Sequence, residues 1–135
     1  MFPGFVEEGA MFTNGSFYWN ELMTLDAEAA KRFYGETLGW TFEAMAQDEG
    51  AAYWVAKVGD ESVAGIYPID SDDQETGEGW FAYIAVEDLS TALARATGAG
   101  GKVEREPWDV PGVGRIAIVS DNAGNDMGWM KPVAD

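Results

Sequence analysis

The sequence predicts an α+β fold of two tandem βαβββ modules enclosing one cleft. Three observations predict it: an internal repeat, an aspartate at the same place in each copy where a strand gives way to a helix, and three short strands after each helix. WNELMTLDAEAAKRFYGETLGWTFE, Trp19 to Glu43, lies over FAYIAVEDLSTALARATGAGGKVER, Phe81 to Arg105, without a gap and 62 residues apart. Self-similarity at a fixed spacing marks a duplicated unit, even where few residues are identical.

In each copy a short strand runs up to an aspartate, Asp26 or Asp88. Its carboxylate can accept the free amides that open a helix, so both are expected as N-caps. Ala30, Phe33, Tyr34 and Leu38 then recur at helical spacing in the first copy, and Leu89, Ala92, Leu93 and Ala96 in the second. Gly39 ends the first helix and the run Gly98 to Gly101 ends the second, where the chain has to turn through positive φ. WTFEAMA, AYWVAKV and SVAGIYPI follow as a meander, with DEG and GDE as its turns. In the second copy KVEREPWDV, a turn at Pro111 and Gly112, GRIAIVSD, a turn from Asn122 to Asn125, and DMGWMKP repeat that order. The whole of 1–135 reads as one domain, with module one over about 14–69, a polar linker at 70–79 and module two over about 80–132.

Composition narrows the chemistry. At 135 residues, nearly half of them apolar, the chain has enough core for one packed domain. The 24 acidic residues against 8 basic ones leave a net charge of −16, which repels phosphate backbones and anionic membranes. Neither nucleic acid nor membrane is therefore expected as a partner, and the charge reads as solubility. There is no cysteine and no histidine, which removes thiol chemistry, the commonest transition-metal ligand and the commonest general base. The acidic run in DSDDQETGEG fails as an EF-hand loop, since the sixth and twelfth places from Asp70 are Glu75 and Phe81 rather than Gly and Glu. VPGVGRIA holds a Gly-x-Gly, but it leads into a strand, so it presents no helix amides to a phosphate. MFPGFVEEGAMF has no basic opening and is broken by Pro and Gly, unlike a signal peptide. No apolar run reaches about 18 residues, so a cytoplasmic protein is expected.

The duplicated pattern, with AAKRFYGETLGW as its most specific stretch and a closing DNAGNDMGWMKP, resembles the vicinal oxygen chelate superfamily of glyoxalases, ring-cleaving dioxygenases and bleomycin-resistance proteins. The resemblance runs from about Ser16 to Pro132. It implies that the strands form a curved, partly open mixed sheet around the cleft. In metal-dependent members it also implies four ligand positions, one near the start of each copy's first strand and one on each copy's last strand. Here those positions fall on Trp19, Phe81, Gly65 and Gly128, none of which has a metal donor in its side chain. The chain is thus similar to the metal-free, single-domain branch, with no metal and no cofactor expected.

Two rings and two glycines in those places suggest an aromatic-walled space that suits a planar or apolar ligand. Strand alternation adds Glu21 and Met23 to the face of Trp19, and Tyr83 and Ala85 to that of Phe81, while Leu22, Thr24, Ala82, Ile84 and Val86 pack under the helices. Ligand-binding candidates are Trp19, Met23, Gly65, Phe81, Gly128 and Trp54, although Trp54 and Trp129 read first as packing, as do Met127 and Met130. Tyr53, Trp80 and Trp108 add further aromatic mass. Glu21, the one ionisable group in mid-strand beside the aromatic position, is the candidate general base, and Tyr83 the candidate donor to developing negative charge. For both, the plain alternative is an ion pair or packing. The expected function is metal-independent binding of a small molecule. Two alternatives stand beside it: a cofactor-free lyase or isomerase using Glu21, and a non-catalytic scaffold acting through association. A homodimer is implied by the resemblance alone.

Overall fold

The structure, a computed structural model, describes residues 12–45, 52–70, 77–110 and 113–133. The turn at Pro111 and Gly112 and most of the linker, 71–76, lie outside the described residues, as does the N-terminal run to Met11. The element order is β1 (Phe17–Thr24), α1 (Ala27–Leu38), β2 (Thr41–Met45), β3 (Tyr53–Val58), β4 (Glu61–Pro68), β5 (Gly79–Ala85), α2 (Leu89–Gly98), β6 (Lys102–Val110), β7 (Gly114–Ser120) and β8 (Asp126–Pro132). This is βαβββ twice, as the repeat predicts.

Two compact units result. The first is Trp19–Phe81; the second is formed from Ala82 onward together with the segment before Trp19. In the first, the strands lie in the order β2-β3-β4-β1, with β1 parallel to β4 and the other pairs antiparallel. In the second, β5-β8-β7-β6 repeats that order, with β5 parallel to β8. The segment before Trp19 joins the second unit through backbone bonds, Gly15 N–H to Ala85 O at 2.8 Å and Ala85 N–H to Ser16 O at 2.9 Å. The far end of the linker is held by the first unit, where Glu78 accepts the Leu25 N–H at 2.9 Å.

Both helices start as expected. Asp26 Oδ1 accepts the Ala29 N–H and Asp88 Oδ1 the Thr91 N–H, each at 3.0 Å, which satisfies amides that have no partner inside the helix. Gly39 closes α1 in the left-handed region at φ 75°, its N–H bonded to Gly35 O, a conformation that costs glycine little. After α2 the positive φ falls on Gly100, one residue beyond the Ala99 cap.

The helices are seated differently. α2 buries Leu89 and Leu93 in a cluster with Val86, Ala117 and Val119, edged by Ala92, Ala96, Val103 and Trp129. α1 buries no residue, and its Phe33 and Leu38 are each 58% exposed. One of its contacts with the sheet is made by Lys31, whose Nζ stands 3.1 Å from the centroid of the Trp54 ring and pairs with Glu28 at 2.9 Å.

Candidate functional site

In the first unit, β1 and β4 set Glu21 opposite Gly65 and Met23 opposite Tyr67, while β3 sets Val55 opposite Gly65. Alternation from these pairs gives one face bearing Trp19, Glu21, Met23, Tyr53, Val55, Gly65 and Tyr67. Trp19 is 1% exposed and Glu21 7%; Met23, Val55 and Gly65 are buried too, whereas Tyr53 is half-buried and Tyr67 exposed. The rings of Tyr53 and Tyr67 lie 6.3 Å apart.

Tyr53 organises this face. Its ring leans across Gly65, so that a Cβ placed there would overlap the phenol oxygen and Cζ. The same oxygen accepts the indole N–H of Trp19 at 3.0 Å. The glycine is therefore required by a close approach: only a residue without a side chain leaves the volume that the phenol fills. A Trp N–H buried in a core is normally paired, and the tyrosine supplies that partner from a strand 34 residues further along the chain.

The predicted residues fall out as follows. Trp19, Glu21, Met23 and Gly65 do share a face. Trp54 does not join them: it is adjacent to Tyr53 on β3, so its ring points to the opposite surface, under Lys31. As a ligand-wall residue Trp54 is thus misplaced by one step of the pleat, and its packing role is the one the structure has. Tyr53 and Tyr67 carry the accessible part of the face, which the sequence expectation of Trp54 does not include. Their signal was the alternation of AYWVAKV and AGIYPI, which needs the β3–β4 register before it can be read.

In the second unit, Tyr83 lies opposite Gly128 and Ala85 opposite Met130, with Ile118 and Ile116 alongside on β7. Tyr83 is 7% exposed, Phe81 half-buried and Gly128 buried. Gly65 and Gly128 therefore hold equivalent places, and Glu21 and Tyr83 do as well. Where the first unit has Tyr53, this register puts Ile116. Trp129 faces α2, as packing predicts. Trp108 sits beneath Arg105, 3.6 Å from guanidinium to ring, and Trp80 donates its indole N–H to the Tyr34 hydroxyl at 3.2 Å in a surface cluster with Trp40.

Among the described residues no three Asp or Glu side chains gather in a way that would hold an ion. Position by position, the expected ligand places offer an indole already bonded to a phenol, a phenyl ring and two glycines. That donor set does not fit a divalent metal, which needs several oxygen, nitrogen or thiolate donors aimed at one point.

A sequence model of the glyoxalase/bleomycin resistance protein/dioxygenase superfamily matches residues 18–127. The chain belongs to this superfamily. The putative glyoxylase CFP32 of Mycobacterium tuberculosis is 37% identical over 126 residues, covering 92% of this chain and 48% of that protein. The anthracycline biosynthesis protein DnrV of Streptomyces peucetius is 28% identical over 137 residues, with 92% and 50% covered. The chain thus spans about half the length of these relatives. Among solved structures, methylmalonyl-CoA epimerase from Mycobacterium tuberculosis matches with a TM-score of 0.62 at 19% identity, over 92% of this chain and 93% of that one. A variant of the Streptomyces coelicolor epimerase gives 0.65 at 16% identity, over 90% of this chain and all of that one. At such identities the likeness is one of fold, and activity has to be argued from the site.

Proposed function

We propose that this superfamily member is a metal-independent small-molecule-binding protein that takes a planar or apolar ligand on the aromatic face of its first unit. One observation carries the reading: the two expected ligand positions of the first copy, Trp19 and Gly65, are spanned by the Tyr53 phenol. An aromatic, hydrogen-bonded centre stands where a metal's donors would have to converge. Stacking area with one well-placed polar group is the usual make-up of a site for a flat molecule. The relative named for anthracycline biosynthesis supports a polycyclic aromatic ligand.

The test is titration with 2-aminomethylanthraquinone, followed by tryptophan fluorescence. Binding is expected to be the same after EDTA dialysis and after addition of zinc, nickel or manganese, and to weaken about tenfold or more in Trp19→Ala provided the variant keeps its circular dichroism and cooperative melt. Loss of binding on chelation, or a folded Trp19→Ala with full affinity, would refute the reading.

Glu21 favours a second reading, a cofactor-free lyase or isomerase. It is a buried carboxylate on the face of Trp19, in register with Gly65, and such groups serve as general bases. In that case Glu21→Gln abolishes turnover of a carbon acid while ligand binding survives; unchanged turnover removes Glu21 from the mechanism. A homodimer is proposed by analogy with the superfamily, and sedimentation equilibrium decides it.

A further inference from the structure

We infer that Arg105 and Trp108, on the sheet face of the second unit turned away from α2, form a binding site for the carboxylate of a small organic acid. The face follows from the register. Val103, Ala117 and Val119 pack against α2, so Ile116 and Ile118 point the other way, and β6 sets Trp108 opposite Ile116 and Arg105 opposite Ile118. Residues three apart on a regular strand face opposite sides of the sheet. Here the register shifts between Arg105 and Trp108, and the extra residue in β6 brings both side chains to one face. The guanidinium then lies over the indole, 3.6 Å from the ring centroid. The ring holds a long side chain in place, which lowers the cost of ordering it when a ligand arrives.

In a chain with 24 acidic and 8 basic residues a cation readily finds an oxygen partner. The other strand cations do so: Lys57 pairs with Glu43, Lys102 with Glu104 and Arg115 with Asp109, while Lys131 donates to the Glu87 carbonyl at 2.9 Å. Arg105 is exposed and has no ion pair among the described residues. Its neighbour Glu104 is engaged by the Ser120 hydroxyl at 2.8 Å and by Lys102. The donor set defines the ligand class. A guanidinium offers two parallel N–H groups that match the two oxygens of a carboxylate. One guanidinium neutralises one charge, and the field of a strongly acidic chain disfavours a dianion, which selects a carboxylate over a phosphate. Trp108 and Ile118 are half-buried, so each leaves apolar surface beside the guanidinium for the body of the acid.

A matched pair of probes tests it: 2-naphthoate and 2-naphthamide, which share a ring system and differ in charge, titrated into the full chain in about 0.15 M salt. Binding is read at the Trp108 indole N–H resonance, which keeps a ligand on the aromatic face of the first unit out of the measurement. The wild type is expected to prefer the acid by about tenfold, the worth of one charge-assisted hydrogen bond. Arg105→Gln should bring the two affinities together by weakening the acid alone. Arg105→Lys, which keeps the charge without the planar fork, should recover little of the preference. Both variants alter an exposed side chain and should keep the wild-type circular dichroism and melt. The dianion 2-naphthyl phosphate should bind no more tightly than naphthoate. A wild type that binds acid and amide equally, a preference that survives either substitution in full, or tighter binding of the phosphate overturns the inference and leaves the function proposed for the first unit standing.

Discussion

The two units share one topology yet seat their helices by opposite means. In the second, Leu93 of α2 is buried in the cluster that holds Ala117 of β7. The repeat places Lys31 at the position of Leu93 and, by strand register, Trp54 at that of Ala117. Large over small has become a cationic stem over a large ring. The first arrangement leaves α1 without a buried residue, and a long Lys chain covers apolar surface while keeping its charge near water. Within each unit, the sheet face turned away from the helix diverges in the same way, since Trp19, Glu21 and Tyr53 stand where the second unit has Phe81, Tyr83 and Ile116. A duplicated fold can thus keep one copy's helix on an apolar core and let the other copy diverge. The second unit carries the ordinary helix-on-sheet core, while the first has polar groups among its rings.

That contrast can be broken most sharply at the equivalent helix positions. Leu93→Ala should cost about 2–5 kcal/mol, the range for truncating a buried leucine, as measured by urea denaturation; a cost under about 1 kcal/mol would mean that α2 is no better seated than α1. Gly65→Ala should cost about 1–3 kcal/mol, because the added methyl meets the Tyr53 ring, and most of that cost should vanish in a Tyr53→Ala background. Additivity of the two changes would show that Tyr53 and Gly65 are not coupled. Lys31→Ala should cost about 1 kcal/mol through loss of the contact with Trp54, well below Leu93→Ala, and Lys31→Met should restore much of it.

The smallest effect is on acidity. The backbone N–H of Thr91, and then its hydroxyl, hold the Asp88 carboxyl below the usual carboxylate range; the backbone N–H groups of Asn125 and Ala123 do the same for Asp121. A depressed folded pKa stabilises above the ordinary carboxylate value and is lost as pH falls through the lowered one. The stability difference between wild type and Asp88→Asn should therefore be constant at neutral pH and shrink below about pH 4. A difference that grows on acidification would contradict the cap. Asp88 is exposed, so the effect is small and should weaken in salt.

Much of the fold was legible in the sequence because its signals are local. An aspartate before an apolar period of 3.6, a glycine at the helix end and alternation in the strands each act within a few residues, and they placed Asp26, Asp88, Gly39 and all eight strands. The absence of histidine and cysteine, and the glycines at 65 and 128, were equally plain. The aromatic centre was less so. Tyr53 and Trp54 read alike in the sequence, because AYWVAKV does not say which of two adjacent rings faces which way.

Trp19 and its missing donor positions remain at the centre, but in a different chemical setting from the one the bare list of residues suggests. By itself the sequence determined the duplication, the element order, the superfamily and the lack of donors at 19, 65, 81 and 128. Only the tertiary structure decided that Tyr53 leans over Gly65 to take the Trp19 N–H, that Trp54 turns to Lys31, and that α1 rides on the sheet without burying a side chain. The physical reason is separation along the chain. These contacts join strands through a register that one residue of slip would invert, and no local preference encodes a bond between residues 34 apart.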